Sequence, residues 1–333
     1  MEGSDGLSQK THNNSFTFDL AFRKTPPWGS TKTLKGKKSL IGIELAINPK
    51  KRPKKRAEEP MPELPEVENV RRSLIASLGE NLKIESAQCL SPSLRIPLDK
   101  NLPKWLMGES LLKIERRAKF LLFQLKKGVM INHLGMTGRW RAESEFRAKK
   151  HDHFVIKFFQ GHYLVYNDVR RFGLITHCET AEIANNRWLK NLGVEPLNKG
   201  QFTESYLTPL LKTRSTSIKS FLMDQRRISG IGNIYASEVL FLAKIKPQKK
   251  CHRLKSHEIL ALIVELPKLL SRAIEAGGST IKDYQNSQGQ SGSFQQCFFV
   301  YGRRGEGCRK CAKKVLAKNI TGRSTFWCPE CQS

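Results

Sequence analysis

Four of the eight cysteines fall in the last 26 residues, as Cys308-x2-Cys311 and Cys328-x2-Cys331 with sixteen residues between the pairs. Two such knuckles can bring four thiolates to one tetrahedral ion, so the spacing predicts a site for one Zn2+. Four thiolates leave no coordination position for water, and the ion would be structural. The intervening stretch alternates at Val315, Ala317, Thr325 and Trp327 and reads as a hairpin; Lys313, Lys314, Lys318 and Arg323 make it basic enough to lie against phosphates. A ribbon that only braces a fold is the alternative. The second chemically unusual stretch is Met61-Pro62-Glu63-Leu64-Pro65-Glu66-Val67-Glu68. Prolines and acids suit the first turn of a helix, so an ordinary helix start would account for it. A proline that became the N-terminus, however, would offer a secondary amine that loses its proton near neutrality, at a pKa of about 7.7 to 8.0.

These residues need elements to hold them. From Glu66 onward Val67, Val70, Leu74 and Leu78 recur with helical spacing, and Gly79 stops the run. Short apolar or alternating stretches follow: Lys119 to Leu125, Val129 to Asn132, Phe154 to Phe159 and Tyr163 to Tyr166. Turn signals at Lys127-Gly128 and Gln160-Gly161 make them antiparallel strands. After about residue 195 the texture becomes helical, roughly Phe202 to Lys212, Ser217 to Met223, Tyr235 to Ala243 and His257 to Ala276, closed by Gly277-Gly278.

The chain carries 58 Lys plus Arg against 30 Asp plus Glu, a formal net charge of +28. Such a field points to a polyanionic partner. Residues 1–60 hold 13 Lys plus Arg and 6 Asp plus Glu, so +7 of that charge is theirs and +21 belongs to the remainder. This polar segment, with its run Lys50-Lys51-Arg52-Pro53-Lys54-Lys55-Arg56, has too few apolar residues to offset the entropy of ordering and is expected to be disordered. It reads as a nuclear address, a phosphate-binding arm, or a translated stretch ahead of a start at Met61. No apolar run of 18 residues exists, so no membrane partner is expected. Cys89, Cys178, Cys251 and Cys297 show no paired pattern, which suits a reducing compartment.

Taken together, these features resemble the formamidopyrimidine-DNA glycosylase family over essentially all of 61–333. The resemblance is carried by Met61 to Glu68, Arg116-Arg117-Ala118-Lys119-Phe120-Leu121-Leu122, His133-Leu134-Gly135-Met136-Thr137-Gly138, Lys150-His151-Asp152-His153, Asp168-Val169-Arg170-Arg171-Phe172-Gly173, Gly230 to Glu238, Val300-Tyr301-Gly302-Arg303 and the four cysteines. It implies an α+β multi-domain protein. After the extension (1–60) would come a catalytic β-sandwich with a leading helix (61–190), a helix-two-turn-helix domain (195–296) and a zinc-finger hairpin (299–333). Damaged double-stranded DNA would lie in the basic cleft of a monomer.

The resemblance also assigns roles. The Pro62 amine would attack the sugar C1′, expel an oxidised purine and leave a Schiff base from which β- and δ-elimination nick the strand. Glu63 would shuttle protons to the opening sugar, while Glu66 orders the helix start. Lys119 would place positive charge near the leaving phosphate, and Arg323 completes this catalytic set. Met136, Arg170 and Phe172 look like the trio that fills the gap left by an extruded nucleotide. Asn233, His151, Lys219 and Arg323 would hold the flanking phosphates. Val169 stands where the family usually shows proline, which would loosen the loop carrying Arg170. Gln285 to Phe294 resembles the family's purine-recognition loop.

An endonuclease VIII-like enzyme for oxidised pyrimidines is the nearest rival. Leu64, the set of Met136, Arg170 and Phe172, and the loop at 285–294 favour the purine enzyme. A non-catalytic DNA-binding homologue is the other, because in the chain as written Pro62 is locked in a peptide bond. A zinc-ribbon RNA-binding or translation factor would leave the proline start unexplained. The cysteines and the resemblance suggest a bacterial cytoplasm, or an organelle or nucleus if the extension is an address.

Overall fold

A computed structural model of the protein describes residues 61–79, 82–279 and 293–333. The extension with its basic run, and all of the 285–294 loop except Ser293 and Phe294, lie outside the described residues. Helix α1 (Leu64–Leu78) begins two residues before the apolar repeat does, because Pro65 sits in its first turn where no amide bond is lost. It ends at Gly79, whose φ of +76° lets its N–H return to the Ile75 carbonyl at 3.1 Å.

Nine strands follow: β1 (Leu82–Cys89), β2 (Ser110–Leu111), β3 (Lys113–Arg117), β4 (Phe120–Gln124), β5 (Gly128–His133), β6 (Gly138–Glu143), β7 (Asp152–Phe158), β8 (Tyr163–Asp168) and β9 (Leu174–Glu179), with a short helix α2 (Leu102–Leu106) after β1. They form two antiparallel sheets, ordered β2-β1-β7-β8-β6 and β3-β4-β5-β9. Val67, Val70 and Leu74 of α1 share one core with Ile84, Phe123, Phe154 and Tyr166 from both sheets. Across it Trp140 of β6 donates its indole N–H to Asn132 of β5 at 2.9 Å, satisfying both buried groups.

The helical half comprises α3 (Glu204–Lys212), α4 (Ile218–Leu222), α5 (Asn233–Leu242) and α6 (Ser256–Glu275). Thr203 and Ser217 cap α3 and α4 by accepting the N–H groups of Tyr206 and Ser220. Leu64, although it opens α1, packs into this second core with Leu222, Ile234 and Leu270, and its N–H bonds the Gly230 carbonyl at 3.0 Å. The start of α1 is thereby pinned to the helical half. The tail folds as a hairpin, β10 (Leu316–Ile320) with β11 (Arg323–Trp327), around Phe241, Val300 and Val315. Glu238 of α5, fully buried, fixes it by accepting the N–H groups of Phe299, Val300 and Tyr301 at 2.8–3.0 Å. Among the described residues no helix is long and apolar enough to cross a membrane.

Candidate active site and nucleic-acid interface

Pro62 and Glu63 are both buried at the entry to α1. Helix α5 begins with amides that have no intrahelical partner and with the positive end of its dipole. The Glu63 carboxylate occupies that end, accepting from Gly232 at 2.6 Å and Ile234 at 2.8 Å. Gly232 is required there: a Cβ would stand 2.5 Å from the Glu63 carboxyl carbon and 2.8 Å from Nζ of Lys119. Glu63 and Lys119 therefore face one another across that glycine. Burial pushes the Glu63 carboxyl above its ordinary range, against the pull of Lys119 and of the two amides, with Glu66 adding to the rise. Burial likewise pushes the Lys119 amine down, opposed by Glu63 and Glu66 and assisted by Arg323. A carboxyl moved up thus faces an amine moved down, so the two groups differ less in proton affinity than an ordinary glutamate and lysine do.

Glu66 orders the helix start by accepting the Glu63 N–H at 3.0 Å, and it reaches further. Its carboxylate, fully buried, also accepts the Tyr235 hydroxyl at 2.7 Å and both the N–H and hydroxyl of Ser279 at 2.8 and 2.7 Å.

Lys119 is aimed by a corner that the sequence did not reveal. Ala118 adopts a φ of +54°, and its N–H is held by Glu195. Arg116 donates twice to Glu195, at 3.0 and 2.8 Å, and once to Glu68 at 3.2 Å. Arg117 reaches the carbonyls of Leu192 and Gly193 and the Ser229 hydroxyl. His133, which the sequence reading placed in a motif without a role, lies beside Lys119. Burial, with Lys119 and Arg95, holds its imidazole down to about 3. Since Nδ1 accepts the Gly135 N–H at 3.0 Å, the neutral ring keeps its proton on Nε2.

The turn carrying Met136 and the loop carrying Arg170 and Phe172 are built against each other. Gly135 has a φ of +67°, and a Cβ there would stand 2.4 Å from the Phe172 carbonyl carbon. Buried Asp168 accepts from the Thr137 hydroxyl at 2.5 Å, Arg170 N–H at 3.2 Å and Gly173 N–H at 2.7 Å. On this rigid base the tips are open. Phe172 is 46% exposed, and the Arg170 guanidinium lies 4.8 Å from its ring. Met136 is half-buried and Val169 exposed. His151, half-buried at a φ of +72°, accepts the Asp168 N–H with its carbonyl.

The remaining phosphate candidates divide. Arg323 is exposed at the start of β11. Asn233 is half-buried and donates its amide to the Ser324 carbonyl at 2.9 Å. Lys219 is only 1% exposed, and its amine donates to the Thr325 hydroxyl at 2.7 Å and the Ser324 carbonyl at 3.1 Å. Burial holds that amine down to about 7, with Glu63 opposing and Arg323 assisting. A lysine in a polar stretch reads as surface; here it stands behind the hairpin.

The four cysteine sulfurs all lie within 4.8 Å of one another, with Cys308–Cys331 at 3.9 Å and Cys311–Cys328 at 3.4 Å. Thiolates 2.3 Å from one tetrahedral ion would stand about 3.8 Å apart, so the donor set fits a metal ion.

A β-sandwich entered by an acidic helix start, a helix-two-turn-helix half and a four-cysteine hairpin, converging on a buried carboxyl–amine pair, define the architecture of a DNA glycosylase. The formamidopyrimidine-DNA glycosylase N-terminal domain matches residues 61–175, and that family's H2TH domain matches 192–285. The formamidopyrimidine-DNA glycosylase of Bdellovibrio bacteriovorus is 42% identical over 272 residues, spanning 82% of this chain and 100% of the relative; that of Rickettsia felis is 41% identical, spanning 82% and 98%. Among solved structures, the Lactococcus lactis Fpg in complex with DNA containing an abasic site is 36% identical, with a TM-score of 0.75, covering 81% of this chain and 99% of that one. The same enzyme with Fapy-dG containing DNA gives 35% and 0.74 at the same coverage. The chain belongs to the formamidopyrimidine-DNA glycosylase family and is a DNA glycosylase of base-excision repair.

Proposed function

We propose that the protein excises oxidised purines, including 8-oxoguanine and formamidopyrimidines, from duplex DNA and nicks the resulting abasic strand by β,δ-elimination through a Schiff base on Pro62. The observation that carries this reading is the buried Glu63–Lys119 pair at the start of α5, directly after Pro62. A free Pro62 amine attacks C1′, the C1′–N bond breaks and the base leaves with its electron pair. Glu63, whose raised carboxyl holds a proton more readily than an ordinary one, donates to the ring oxygen as the sugar opens. The iminium then acidifies the C2′ proton, whose loss expels the 3′ phosphate. Repetition at C4′ expels the 5′ phosphate, beside the charges of Lys119 and Arg323. Met136, Arg170 and Phe172, on a base fixed by Gly135 and Asp168, fill the vacated stack. His151, Asn233 and Arg323 serve the flanking phosphates.

The reading includes one Zn2+ held by Cys308, Cys311, Cys328 and Cys331, which would lock the hairpin without taking part in the chemistry. It also includes a monomer. The compartment is a reducing one, in keeping with eight free cysteines, and a bacterial cytoplasm is proposed. The match to the N-terminal domain begins at Met61, in keeping with a working form that begins at Pro62. An amide nitrogen has no nucleophilic lone pair, so the full chain should be inert as a glycosylase. Excision from duplexes carrying 8-oxoguanine or thymine glycol, by full-length protein and by the form beginning at Pro62, tests the reading. Preference for thymine glycol, or equal rates from full-length protein with Met1 intact, would contradict it.

A further inference from the structure

Four hydrogen bonds from three side chains clip the tip of the β10–β11 hairpin onto the helices behind it. Lys219 of α4 donates to the Thr325 hydroxyl and the Ser324 carbonyl, and Asn233 of α5 donates to the same carbonyl. The Ser220 and Thr321 hydroxyls meet at 3.1 Å. Between these clips lies the turn itself, with Thr321 at a φ of +48° and Gly322 at +77°, followed by exposed Arg323. Lys219 is costly where it stands: 1% exposed, with no carboxylate within ion-pairing distance among the described residues. A methionine would fill that volume without desolvating an amine, so packing does not account for a lysine. What the amine does accomplish is to fix the two residues that follow Arg323.

We infer that Lys219 is a positioning residue for Arg323: by holding Ser324 and Thr325 it sets where the Arg323 guanidinium stands relative to the Glu63–Lys119 pair. The charge of Arg323 already bears on both Lys119 and Lys219, which places it within electrostatic reach of the reacting centre. The inference rests on the proposed reading of the site in treating Arg323 as part of the cleavage machinery, and it reassigns Lys219 from a phosphate ligand to a latch.

Two measurements test it. In the full chain, hydrogen exchange at the amides of residues 321–325 should rise at least tenfold, roughly, in Lys219→Met, while the rest of the hairpin stays protected. Strand cleavage is then followed in whichever form cleaves, full-length or beginning at Pro62. Displacing a charge by about 1 Å can cost about 10²-fold, so Lys219→Met should lower kcat by that order with KM and the salt slope unchanged. In an Arg323→Ala background the same substitution should cost less than about twofold, because the two act as one unit. Lys219→Gln, whose amide can still donate to both acceptors, should recover about tenfold of the loss and guards against misfolding of the methionine variant. Additive losses with Arg323→Ala overturn the inference. So does a salt slope lowered by about 0.9, the signature of a lost phosphate contact, with hairpin exchange unchanged. If neither form cleaves, the reading of the site fails, while exchange at the tip still decides whether Lys219 holds it.

Discussion

The centre of the site and its outer loops are built on opposite plans. Glu63, Glu66 and Lys119 are buried, and each is fixed by groups far away in the chain: Gly232 and Ile234 for Glu63, Tyr235 and Ser279 for Glu66, Glu195 through Ala118 for Lys119. Arg170 and Phe172, by contrast, stand on a base that is itself fixed by Asp168 and Gly135, but present open surface. The centre keeps charge out of water, where small displacements move a proton. The loops keep apolar and cationic surface in water, where only a large partner such as an opened duplex can cover it. Substitutions in the centre should therefore alter rate, and those in the loops should alter recognition.

The largest effect should come from a third place, the cysteine hairpin that carries Arg323. If the four cysteines hold the proposed Zn2+, stripping it with a chelator, or replacing Cys328 by serine, should unfold the hairpin, since structural zinc is worth about 10–16 kcal/mol in finger peptides. Cleavage should then be lost together with hairpin hydrogen-exchange protection, and retention of full activity would show the ribbon to be only a brace. Next, Glu63→Gln should slow excision by about 10²–10⁴-fold, the range for loss of a proton-transfer group, while single-turnover assays show DNA binding nearly intact. Phe172→Ala should do the reverse: about 1–3 kcal/mol of binding to lesion-containing duplex lost with stacking, and little change in thermal unfolding. If Phe172→Ala instead lowered the melting temperature strongly, the loop would be core and the contrast would fail.

The smallest effect is a pH dependence. The folded Lys219 amine is held down to about 7 against an ordinary 10.5. Between those values the unfolded chain binds a proton that the folded one lacks, so folding stability rises with pH there. Relative to Lys219→Met, the wild type should gain at most about 1.4 kcal/mol per pH unit above pH 7 and show no difference in slope below it. Denaturant unfolding of both proteins at pH 6, 7, 8 and 9 checks the sign.

What could be read in the sequence was what local spacing encodes. The two cysteine knuckles, the apolar repeat of α1 and the glycines around Met136 and Phe172 each declare themselves within a dozen or so residues. Helix α1 was placed two residues late because its opening residue, Leu64, belongs to the other core and breaks the repeat that Val67 begins. The strap from Arg116 and the Ala118 N–H to Glu195 spans 79 and 77 residues in the chain, and nothing in the local pattern announces it. The burial of Lys219 and His133 is hidden for the same reason: whether a lysine or histidine is wet or dry is decided by tertiary packing, which local spacing does not carry. The edges of β4, β5, β7 and β8 lie within two residues of the alternating stretches, but β1, β2, β3, β6 and β9 are not legible there, because their less regular patterns become strands only through the ladders they join.

The measurement that tests the account most directly is borohydride trapping of the protein on an abasic-site duplex, with the attached residue located by mass spectrometry. The account predicts that the form beginning at Pro62 is trapped through the Pro62 nitrogen and that full-length chain is not trapped there. A cross-link mapped to the amine of Lys119 or Lys219, or none in either form, would contradict it.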